Sequence, residues 1–294
     1  MTFPSAEVLA LLTALGFAVS DVLMGAGIRT STPYTGAVTL CFMVGLCGAL
    51  ALPWVWPSAG LNAAGVFWFL LVGISQSGLG MFFFYLSMRR VGVARAAVIS
   101  ASAPAFSVGL AVLFLSEEPT LFSYLGTAAI ILGVMASVRG EKGRRENRRS
   151  LGSGDLVFPL LTAFLFGVSP LFRKVGLGHL PSVPLGTALA GAGGFASLLL
   201  LGRTFPRAER FRWEKRAAWL FFAGGLVMAG AQATLFMALR TGWVSVVVPL
   251  VYVKPLFVSA IVSVTGRGRE SVGTGVFVGG VLMAVGAWLL LGFR

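Results

Sequence analysis

Between Arg29 and Arg89 the chain contains no Asp, Glu, Lys or Arg. A stretch of that length without a charge cannot clothe a water-soluble domain, in which about a quarter of the residues are charged. Over all 294 residues only 11% are charged, 57% are apolar, and the mean hydropathy is +0.90. The surface of such a chain faces lipid. One helix needs about 20 apolar residues to cross the hydrocarbon. Runs of that kind lie near 7–28, 34–56, 64–88, 93–115, 120–138, 155–175, 183–202, 217–239, 244–264 and 271–292. Spanning strands would alternate apolar and polar side chains, whereas these runs are apolar throughout. The expected fold is an all-α membrane protein with ten transmembrane helices. The first run lacks the basic flank and short core of a cleavable signal, so it reads as a retained first helix.

The charges are bunched. Residues 139–155 and 203–216 hold 17 of the 33. A net charge of +13 would suit nucleic acid in a soluble protein, but here the basic residues sit in short loops between apolar runs. That is the pattern of loops retained on one side of a membrane, and nucleic acid is not an expected partner. Loops after the first, third, fifth, seventh and ninth runs hold 18 of the 23 basic residues. The opposite side holds four (Arg173, Lys174, Arg240 and Arg294), and Lys254 lies within a run. The positive-inside rule makes the richer side cytoplasmic and places both termini in the periplasm. The lipid partner is then a bacterial inner membrane, crossed many times.

The chain repeats itself. Leu11-Leu12-Thr13-Ala14 recurs as Leu160-Leu161-Thr162-Ala163, and the same shift of 149 overlays Phe17 on Phe166 and Ser20 on Ser169. A shift of 151 overlays Arg89 on Arg240, Val93 on Val244 and Pro104 on Pro255. A shift of 153 overlays Glu117 on Glu270, Gly126 on Gly279 and Gly133 on Gly286. The chain therefore divides into a first five-helix repeat over 1–138, a basic cytoplasmic linker over 139–154, and a second repeat over 155–294. Five is odd, so the second copy enters the membrane from the other side. Two inverted repeats of this kind build many secondary transporters, with the substrate at the repeat interface near the midplane.

The pattern Leu86, Ala96-Ala97, Pro104, Glu117, Gly126, Gly133, repeated as Leu239, Pro255, Glu270, Gly279, Gly286, resembles the half-motif of the EamA-type drug/metabolite transporter superfamily. The resemblance implies five plus five helices and export of amino acids or other metabolites. The Phe-rich spans look most like the YddG-type aromatic amino-acid exporters.

Ionisable side chains in hydrocarbon cost about 2.5–3.5 kcal/mol on insertion scales and need a reason. Lys254 falls at the middle of the ninth run and Asp21 about four residues past the middle of the first. Lys254 reads as the partner of a substrate carboxylate, and Asp21 as its counter-charge, an amine partner or a proton site. Pro104 and Pro255 lie at matched depths, where each removes a backbone donor and frees the carbonyl four residues earlier. They read as kinks or gates beside a cavity. Thr13, Phe17 and Ser20 form one stripe, repeated by Thr162, Phe166 and Ser169. With Gln76, Tyr85, Ser100, Gln232 and Tyr252 these polar positions make a candidate substrate site, partly aromatic and sparing in charge; each is equally ordinary as interhelical glue. Cys41 and Cys47 stand about 120° apart on one helix and read as small buried apolar residues. Gly275, Gly279 and Gly191 to Gly194 read as close packing.

No HExxH, Cys/His cluster or GxxxxGK[ST] is present in the sequence, so neither a metal, a cofactor, ATP nor enzymatic activity is expected. The leading reading is a secondary transporter exporting small metabolites, aromatic or neutral amino acids first, by alternating access. A cationic drug exporter using Asp21, a phosphate-metabolite exchanger using Lys254, and a membrane enzyme or structural membrane protein stay open beside it.

Overall fold

The computed structural model describes residues 5–54, 60–91, 96, 99–140, 156–204, 211–264 and 274–292. The basic linker lies almost entirely outside them, as does Glu270. Over the described residues each of the ten apolar runs is helical. The first two are α1 (Ala6–Ile28) and α2 (Pro33–Ala51). The third is one continuous helix made of α3 (Ala63–Val72), a π-helical stretch Gly73–Gly80, and α4 (Met81–Val91). The fourth turns at Ala101–Ser102 and continues as α5 (Ala103–Leu115); the fifth is α6 (Leu121–Gly140). The second half repeats the order: α7 (Val157–His179), α8 (Val183–Gly202), α9 (Lys215–Thr241), then α10 (Val244–Val251) and α11 (Lys254–Val264) sharing one broken span, and α12 (Thr274–Gly292). Seven of these spans are long and apolar enough to cross a bilayer on their own, and shorter apolar helices supply the rest.

The helix starts follow local chemistry. Thr32 caps α2 by accepting from Thr35 N–H, with Pro33 in the first turn, and Ser182 caps α8 by accepting from Leu185 N–H, with Pro184 there. A hydroxyl cap followed by Pro stops the chain and restarts it as helix, and the duplication carries the device at the same place in both halves.

Helices pack chiefly across the halves. The most extensive pairings are α6 with α12, α1 with α9, and α2 with α8; the third span packs on both α7 and α8, α2 also on α9, α5 on α7, and α1 on α11. Exchanging the halves turns α1·α9 into the α7 pairing of the third span and α1·α11 into α5·α7. It leaves α2·α8 and α6·α12 unchanged. The repeated glycines explain the last of these. A Cβ on Gly126 would lie 2.8 Å from Gly286 O, and one on Gly286 2.6 Å from Gly126 O. Gly133 and Gly279 meet in the same way. The residues whose recurrence marks the duplication are thus the two symmetric crossing points of the last spans, where only glycine lets the backbones approach. The fold is two inverted five-helix repeats, interleaved rather than merely adjacent.

Loop contacts group the ends. Ser31 Oγ donates to Arg212 O and Arg212 N–H to Thr35 Oγ1, joining the loops after spans one and seven. At the other end Glu117, after span four, accepts from Val244 N–H (2.8 Å), Ser245 N–H (2.9 Å) and Ser245 Oγ (2.7 Å). The carboxylate therefore caps the N-terminus of α10, where a negative charge is favoured.

Candidate functional site

Two spans are interrupted halfway. At Tyr252–Val253 the helix gives way to a turn before Lys254 opens α11, with Pro255 in its first turn. The break puts Lys254 Nζ 2.7 Å from Asp21 Oδ2 of α1. This is a close, partly buried ion pair at mid-membrane depth, and each partner reduces the cost of the other's charge. Lys254 Nζ also lies 5.5 Å from the centre of the Phe84 ring. Asp21 is thus the counter-charge of Lys254, and both partners line a cavity together with Gln76, Gln232 and Tyr252, among Phe17, Phe166, Met81 and Met228. The cavity measures about 50 Å³, room for a few water molecules. Its walls come from both repeats.

Behind the two glutamines lies Arg173, wholly buried. Its Nη2 donates to Gln76 Oε1 and to Gln232 Oε1, each at 2.7 Å, and its Nη1 donates to Gln232 O at 3.3 Å. The guanidinium carbon stands 4.0 Å above the Phe236 ring, a favourable seat for a cation. Ser169 Oγ donates to Gln76 Oε1 at 2.9 Å. Among the described residues no carboxylate pairs with Arg173.

This corrects the sequence reading, which puts Arg173 with the loops. α7 continues to His179, so Arg173 sits about 9 Å inside the helix end. The signal was available: Thr162, Phe166, Ser169 and Arg173 run at +4, +3 and +4, so Arg173 extends the polar stripe by one turn. The π-helix around Gln76 has a weaker signal, three glycines and two serines within Gly73–Gly80. Such local widenings often accompany functional positions.

The remaining candidates disperse. Ser20 Oγ donates to Gly224 O and stitches α1 to α9. Tyr85 and Ser100 are buried with hydroxyls that find no partner among the described residues, and neither is among the residues lining the cavity. Pro104 matches Pro255 in the other broken span and likewise stands in the first turn of its half-helix. Cys41 is buried, its Sγ 3.0 Å from Ser77 O, and Gly191 and Gly194 take the backbone and side chain of α2 at close range. Lys174 is tied to Gly242 O at 2.6 Å.

Residues 4–139 match the model of the EamA-like transporter family. The match covers the first repeat, a little under half of the chain, and over that half the chain is similar to EamA-like transporters. None of the curated proteins matches the chain. Among solved structures, a crystal structure described only as that of a protein superposes with a TM-score of 0.77 at 17% identity, covering 97% of this chain and 95% of that one. That likeness extends the fold over both repeats and carries no more than the fold. An EamA-like transporter is a drug/metabolite secondary transporter, and the family is one of transporters rather than enzymes. The broken ninth span and the buried arginine lie beyond the matched residues, while Asp21 lies within them.

Proposed function

We propose that this chain is an EamA-like transporter that exports amino acids, aromatic and neutral ones above all, by alternating access through the cavity between its repeats. The observation that carries the reading is the Lys254–Asp21 pair, placed at a helix break and on the cavity wall. An ion pair of opposite charges mirrors the zwitterionic head of an amino acid, and a solute that separates the two can take each partner in turn. Phe17, Phe166 and Tyr252 supply aromatic surface for a side chain. The cavity admits only a few waters as it stands, so loading a solute requires spans four and nine to move at their breaks. The aromatic exporter resemblance of the Phe-rich spans points the same way.

In the same reading residues 1–138 and 155–294 are the moving halves, 139–154 is a cytoplasmic linker, and both termini face the periplasm. A cysteine at Ser150 should resist an impermeant maleimide in intact cells and react in inverted vesicles; labelling in intact cells would reverse the orientation. Flux of a labelled panel in proteoliposomes tests the substrate. Saturable amino-acid flux supports the reading. Flux of cationic dyes or phosphorylated sugars alone replaces it.

A further inference from the structure

We infer that the side-chain amides of Gln76 and Gln232 form a carboxylate-binding pair, oriented by Arg173, which acts on the ligand only through them. The inference deepens the proposed transport function and rests on it for the statement that a solute enters this cavity.

A glutamine amide has one end that accepts and one that donates, and its orientation is fixed by its neighbours. A guanidinium only donates. Gln76 Oε1 receives Arg173 Nη2 at 2.7 Å and Ser169 Oγ at 2.9 Å, which fills both lone pairs. Gln232 Oε1 receives the same Nη2 at 2.7 Å. With both oxygens turned toward Arg173, both NH2 groups turn away from it. Both residues line the cavity, and neither nitrogen has a partner among the described residues or counts among the fully buried unpaired atoms. Two amides facing one space present up to four N–H donors, and a planar carboxylate offers two oxygens that accept them.

The charges agree. Arg173 and Lys254 carry two positive charges against one negative on Asp21, an excess of one among these three. Asp21 is the cavity's carboxylate and is occupied by Lys254. Arg173 has been taken out of water without a carboxylate, and an anion lodged one amide away offsets part of that cost. The Arg173 guanidinium is not on the cavity wall, so at this end of the cavity the direct ligands are neutral amide donors, and the cation that is on the wall, Lys254, is already paired with Asp21. That suits a monoanionic carboxylate better than a phosphate dianion, which calls for cationic ligands in contact. An amine alone would meet donors where it needs acceptors.

Four probes sharing one phenyl ring test this: L-phenylalanine, 3-phenylpropionate, L-phenylalaninamide and phenethylamine. Affinities are read by thermal-shift titration of the purified full chain, and flux is read in proteoliposomes. Both carboxylate probes should bind at least about tenfold more tightly than the amide and the amine, as expected of a site built to donate hydrogen bonds. Gln232→Glu and Gln76→Glu, close in shape, should erase that ratio and keep or strengthen phenethylamine binding. Arg173→Met should lower the ratio and Arg173→Lys retain part of it. A merely structural arginine would weaken all four probes together and leave the ratio alone. Should the arginine variants fail to fold, the glutamine variants decide. The inference is overturned if neither carboxylate probe binds, if the amide or amine binds as well as they do, or if Gln232→Glu keeps the ratio. Carboxylate-selective binding without flux sustains the inference and removes the transport reading. Flux without carboxylate selectivity does the reverse.

Discussion

The breaks in spans four and nine have the same backbone and different cargo. Ser102 N–H donates to Ile99 O at 3.2 Å and Ala105 N–H to Ser102 O at 3.0 Å. In the other half Val253 N–H donates to Leu250 O at 3.2 Å and Leu256 N–H to Val253 O at 3.0 Å. Each bond is its counterpart moved by 151 residues. The residue opening the second half-helix is Ala103 in one copy and Lys254 in the other. The other charges follow suit: a shift of 149 puts Pro170 where Asp21 stands, and Met24 where Arg173 stands. Duplication kept the hinges and the crossing points, which must work alike in both halves. The three charges at the centre occur once each. A solute with distinct ends needs a site without symmetry, held in a frame that has it.

The largest effect should come from removing the unique charges. Lys254→Met and Asp21→Asn should each reduce flux of the transported amino acid by at least about tenfold, since each leaves the other charge unpaired in a low-dielectric site. Membrane yield should stay near wild type, because the pair is partly exposed to the cavity at 23% and 14%. The exchanged pair Asp21→Lys with Lys254→Asp separates structure from function. It restores the ion pair but reverses its direction, so flux should stay low. Recovery to wild-type rates would make the pair a structural clasp and return the central asymmetry to packing alone.

A smaller effect is expected at the matched prolines. Pro104→Ala and Pro255→Ala each return a backbone donor to a broken span, favouring a straight helix. Both should slow transport several-fold and by amounts within about threefold of each other, measured as initial rates in the same vesicles. If Pro255→Ala abolishes flux while Pro104→Ala is silent, the hinges are not equivalent, and the shared hydrogen bonds are an inherited shape without a shared role.

What the sequence made legible follows the same division. Ten spans, the repeat and the crossing glycines could be read because lipid demands long apolar runs and the duplication prints its contacts twice. Gly126, Gly133, Gly279 and Gly286 are visible as a pattern before their contact is known. The ion pair was half legible: Lys254 and Asp21 stand out because charges in hydrocarbon are costly, but 233 residues separate them and nothing local says they meet. Arg173 was misplaced because basic residues near a span end usually lie in loops. Only the stripe through Thr162, Phe166 and Ser169 argues otherwise. Ser20 and Ser169, equivalent by the repeat, part company once the contacts are seen: one binds a backbone carbonyl of α9, the other the side chain of Gln76. Pattern finds equivalent positions, and only contact shows which of them has been given a task.

The smallest effect should appear at Glu117, which tests whether the ninth span is special because of its break or because of how its first half is anchored. The carboxylate takes three hydrogen bonds at the start of α10, two from backbone N–H groups and one from Ser245 Oγ. Glu117→Gln keeps one accepting oxygen, loses the other and removes the charge facing the helix N-terminus. A loss of about 1–2 kcal/mol is expected from the broken charge-assisted bonds and the weakened cap. That amounts to a fall of a few degrees in apparent melting temperature for a protein of this size. Ser245→Ala, which removes only the hydroxyl bond, should cost less. Glu118→Gln, one residue away and exposed, should fall within about 0.5 kcal/mol of wild type. Flux through the Glu117→Gln protein should drop no more than two- to threefold, because the bonds lie at the membrane end of α10 and not at its break. A tenfold loss of flux with an unchanged melting temperature would instead put Glu117 among the groups that move during transport. The asymmetry that matters would then extend from the central charges to the closure of the span itself.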